Sequence, residues 1–97
     1  MSTQLLQDAF PDIKVSIRQA QELIEQDELD IAEAIYHELL GKDENCPAAL
    51  YGLSQLANKI NDQQLRKELL QAAIVQIEDT EESLRQIWQK ELDEITD

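Results

Sequence analysis

His37 is the only histidine in the chain, and Glu33 lies one helical turn before it. A carboxylate that orients an imidazole begins a general-base device, which also needs a nucleophile or substrate within hydrogen-bond reach. Ser54, Ser83 and Cys46 have no neighbouring motif that would activate them as nucleophiles. Cys46 has nothing basic directly beside it to lower its pKa. Asp27, Glu28 and Asp30 lack the glycine and the distant bidentate glutamate of a calcium loop. One histidine and one cysteine cannot build a zinc site within a single chain. With only two glycines, there is no glycine-rich loop to cradle a phosphate. The reading is therefore of a protein that is not an enzyme, with no metal and no other cofactor.

Composition narrows the class further. Ninety-seven residues make one domain, whose thin core every element must share. The chain is 42% hydrophobic and 30% charged, rich in Gln, Glu, Leu, Ala and Ile, and poor in β-branched clusters. That balance predicts an all-helical protein. The formal charge of −13, from 21 acidic and 8 basic residues, opposes direct contact with nucleic acid or an anionic membrane. It favours solubility and basic partners. The single cysteine, the lack of a basic leader followed by an apolar run, and the lack of a membrane-length apolar stretch predict a cytoplasmic location.

Apolar spacing and capping residues then set the elements. Leu5, Leu6, Ala9 and Phe10 form an apolar cluster ahead of Pro11, which should open the first long helix. Ile13, Ile17, Ala20, Leu23 and Ile24 recur at three- and four-residue steps along that helix. Asp30 with Glu33 predicts the N-terminus of a second helix, and Gly41 a left-handed C-cap at its end. Lys42 to Cys46 is the connector. A third helix starts at Pro47, and a fourth follows the turn at Asn61-Asp62. Thr80 with Glu81, Glu82 and Ser83 predicts the cap of a fifth, which carries the one-sided stripe Leu84, Ile87, Trp88, Leu92 and Ile95. Short connectors between five helices imply antiparallel neighbours.

Sliding the chain along itself until Ile13–Ile24 falls on Pro47–Asn58 also brings Asp27 onto Asn61 and Tyr36 onto Leu70. Ala32, Tyr36 and Leu39, followed by Leu50, Leu53, Ser54 and Ala57, form a pattern that resembles the tetratricopeptide repeat (TPR) family. The resemblance covers roughly residues 12 to 96, and departs from the family at Gln19, Glu44 and Arg66. It implies a short α-solenoid: an extension over 1–11, one hairpin over 12–41, a second over 47–79, and a capping helix over 80–97. A non-repeating five-helix bundle is the alternative.

The resemblance also implies a function, because TPR arrays hold extended peptides along the first helices of their hairpins. In this chain that concave face would present Lys14, Arg18 and Gln21, then Ala48, Tyr51, Gln55, Asn58 and Lys59, then Arg85 and Gln89. Four of the eight basic residues fall in this set, so carboxylate and peptide-backbone recognition is the expected chemistry. Ala48, Tyr51 and Gln55 stand where chaperone-tail-binding members carry their clamp, so that activity is not implied. Two other readings remain open. One is an acidic decoy that uses Glu22, Glu25, Asp27, Glu28, Glu78, Asp79, Glu81, Glu82, Asp93 and Glu94 against a basic protein. The other is a homodimer joined through the helix that carries Trp88.

Overall fold

The computed structural model describes residues 3–77 and 82–95. Among them are six α-helices: α1 (Thr3–Ala9), α2 (Lys14–Glu25), α3 (Leu29–Lys42), α4 (Pro47–Lys59), α5 (Gln63–Gln76) and α6 (Glu82–Ile95). No described residue is in a strand. The expected apolar cluster before Pro11 is a helix in its own right, one more than the sequence predicts. Pro11 opens a 3-10 turn over Pro11–Ile13 rather than α2 itself, which starts at Lys14. The expected cap at Thr80 lies outside the described residues.

The helix ends show which capping signals governed. Pro47 is the first residue of α4, and the Asp62 carboxylate accepts a hydrogen bond from the Leu65 amide at 3.1 Å, capping α5. Two expectations are corrected. Asp30 does not cap α3; it lies in the first turn, directly after Leu29, and the N-cap is Glu28 without a side-chain bond. Gly41 does not end α3 either, since the helix runs on through Lys42. The connector is organised by Asp43 instead. Its carboxylate accepts from the Asn45 amide at 3.1 Å, and its carbonyl from the Cys46 amide at 3.0 Å.

Several helix ends recur at one spacing along the chain. Helix α3 runs from Leu29 to Lys42 and α5 from Gln63 to Gln76, so both ends are displaced along the chain by the same amount. That amount also separates the last residues of α2 and α4, Glu25 and Lys59. Their turns match bond for bond. Asp27 and Asn61 both take the left-handed conformation, with φ of 66° and 63°. Glu28 N donates to Leu23 O and Asp62 N to Ala57 O, each at 2.8 Å. These closures satisfy the last carbonyls of α2 and α4 with Asp and Asn where glycine is the usual choice.

Each helix packs on the next in the chain, and α2 also packs against α4. Small side chains permit the close crossings: Ala20, Ala32, Ala48, Ala49 and Ala73 are all fully buried. Gly52 on α4 lies under the ring of Tyr36, where any Cβ would collide with it. The last helix joins the core through Trp88, fully buried and stacked on Tyr51 with ring centroids 4.8 Å apart and planes 12° from parallel. The radius of gyration, 12.2 Å, is close to the roughly 12.5 Å of a compact domain of this length.

Candidate functional site

Helices α2 and α4 place Gln21 and Gln55 at equivalent positions of the two hairpins, and the two side chains meet. The Gln21 amide donates to the Gln55 carbonyl oxygen at 2.5 Å and to the Tyr36 hydroxyl at 3.3 Å. Lys14 and Arg18 precede Gln21 along α2 at helical spacing and are exposed. Asn58 and Lys59 are exposed at the end of α4. The Asn58 side-chain oxygen accepts from Gln63 at 3.2 Å and from Arg66 at 3.4 Å. On α6, Gln89 is exposed and donates to Asp93 at 3.0 Å, whereas Arg85 is half-buried. Of the predicted set, Lys14, Arg18, Asn58, Lys59 and Gln89 are exposed, Gln21 and Gln55 bond to each other, and Arg85 is half-buried.

Tyr51 corrects the expectation of an accessible anchor. It is 4% exposed, with its ring against Trp88 and its hydroxyl donating to Glu91 at 2.6 Å. Periodicity places it on the inner face of α4, and α6 then covers that point. Burial, and after it the hydrogen bond and charge of Glu91, push the phenol far above its ordinary pKa. The other oxygen of Glu91 pairs with Arg66 at 3.4 Å, both side chains being largely buried. Arg66, a departure from the TPR pattern in the sequence, therefore adds an ion pair to the packing of α5 on α6. Leu84, Trp88 and Leu92, the α6 residues on which the homodimer expectation drew, are buried inside the chain.

A surface that sequence reasoning missed lies where α3 crosses the α4–α5 hairpin. Leu29, Leu53, Ala57, Ile60, Leu65 and Leu69 line an apolar cleft of about 370 Å³, with Asp30, Glu33 and His37 along its α3 edge. His37 and Glu33 approach to 3.6 Å, both well exposed. Helical spacing puts Leu53, Leu65 and Leu69 on the apolar stripes of their helices, and Ile60 at the last apolar position of the helix that opens at Pro47. It instead stands just past the end of α4 and is 63% exposed. Carried back by one hairpin, the cleft falls on Gln19, Glu22, Leu23, Gln26, Ile31 and Ile35, which line a second depression.

Cys46 is buried in the connector, and its thiol pKa is raised, first by burial and only partly opposed by the amides of Ala49 and Ala48. Among the described residues no three His, Cys, Asp or Glu side chains gather to hold a metal ion. No helix among them is long and apolar enough to cross a membrane. No family model matches the chain, and no curated protein or solved structure matches it either.

Proposed function

We propose that this chain is a protein-interaction module, a TPR-like array of two hairpins with a terminal helix, that holds a segment of a partner polypeptide. The observation that carries the reading is the regular recurrence of helix ends and turn hydrogen bonds between the two hairpins. Stacked equivalent hairpins align their first helices, which supplies a continuous surface rather than a reactive centre. Lys14, Arg18, Asn58, Lys59 and Gln89 are the exposed members of that row and offer donors to a peptide backbone or a carboxylate. Gln21 and Gln55 set the spacing of the row through their mutual bond.

The test begins with a photo-crosslinking residue in place of Arg18 or Gln89, which captures and identifies the partner in its native cell. Calorimetry with the purified partner follows. Arg18→Glu together with Lys59→Glu is expected to weaken binding at least about tenfold, or roughly 1.4 kcal/mol, without changing the helical melt. Unchanged affinity with unchanged folding would remove the inner row. A steep salt dependence that vanishes when Glu22, Glu25, Asp27 and Glu28 are neutralised would favour the acidic decoy.

A further inference from the structure

The apolar cleft between α3 and the α4–α5 hairpin plays no part in the row just described, and its composition is uneven. Leu53 and Leu56 sit where α4 meets α3, so stacking of the hairpins accounts for them. Ile60 and Leu65 are different, at 63% and 40% exposed. Hairpin geometry does not require an apolar residue at the former position. At the matching point of the first hairpin stands Gln26, and Gln19 and Glu22 match Leu53 and Leu56.

We infer that this cleft is the docking site for an amphipathic helix of a partner protein, with apolar residues entering the cleft and lysine or arginine flanking them. The inference rests on the reading of the chain as an interaction module. Two observations choose the occupant. The α3 edge of the cleft runs from Leu29 to His37, roughly 12 Å or two helical turns, which suits apolar residues at i, i+3 or i+4, and i+7. Its rim charges are the carboxylates of Asp30 and Glu33, and no Lys or Arg lines it. On a chain of net charge −13, that rim attracts a basic helix and repels a second copy of itself.

The test is an NMR titration, read at methyl and amide signals of the isotopically labelled chain, with two synthetic helical peptides. Both carry leucine at i, i+3 and i+7; one has lysine at the flanking positions and the other glutamate. The Ile60, Leu65 and Leu69 methyl signals are expected to shift and saturate with the lysine peptide alone. Ile60→Asp with Leu65→Asp is expected to weaken that binding at least about tenfold while the helical melt is retained. Failure to saturate at millimolar peptide, or an equal response to the glutamate peptide, would overturn the inference. Signals that move with the chain's own concentration would overturn it in favour of self-association. Shifts confined to the amides of Arg18, Asn58 and Gln89 would overturn the cleft and leave the inner row standing.

Discussion

Tyr36 and Tyr51 are the only two tyrosines of the chain, and both phenols lie in the interior. Burial raises the pKa of each; the amide of Gln21 opposes it in part at Tyr36, and the Glu91 carboxylate adds to it at Tyr51. The consequence for stability has a definite sign. Below the ordinary tyrosine value near pH 10, folded and unfolded chains both keep the two protons, and this contribution is fully present. Above it, the unfolded chain releases protons that the folded chain retains, so stability falls as pH rises. Tyrosinate absorbance in the near ultraviolet should therefore stay flat past pH ~10 and then appear together with loss of helical circular dichroism. Absorbance that rises while the helices persist would refute the burial of these hydroxyls. Tyr51 also marks a limit of sequence reading. Periodicity assigns it a helix face, but only α6, contributed by residues beyond position 81, decides that the face is covered.

At the scale of elements, the crossing of α3 and α4 depends on a position without a side chain. Gly52→Ala would gain about 1 kcal/mol of helix propensity, but the added methyl meets the fully buried ring of Tyr36. We expect a net loss of about 1–2 kcal/mol, seen as a Tm lower by about 5–10 °C. Combining it with Tyr36→Leu should recover part of the loss, and a Tm at or above that of the parent would contradict the crossing. Helix positions were largely legible in the sequence because apolar period, Pro47 and Asp62 all agree at those points. The end of α3 was not legible from Gly41, because Asp43 closes the connector with its own carboxylate and carbonyl. Left-handed turns at Asp27 and Asn61 were visible only as aligned polar residues. The cleft is not legible in the sequence for a related reason: spacing cannot separate a leucine that faces the core from one that faces a groove.

The whole molecule carries a net charge of −13 within extents of 30 × 30 × 24 Å. At an ionic strength of about 0.01 M the screening length is about 30 Å, so every acid acts on every other. Near 1 M it falls to about 3 Å and the self-repulsion is confined to neighbours. Thermal melts should consequently move upward with added sodium chloride, by on the order of 5 °C between those limits. A flat or falling series would show that the charges are already neutralised in the fold. The same surplus explains why acidic composition, plain in the sequence, speaks to choice of partner and not to the arrangement of helices.

The ring pair of Trp88 and Tyr51 gives this protein a built-in optical gauge. Because the chain has one indole, seated on the last helix and shielded from water, its emission reports that helix alone. Peeling α6 away would redden the fluorescence before the hairpins melt, separating the two events in a single cuvette.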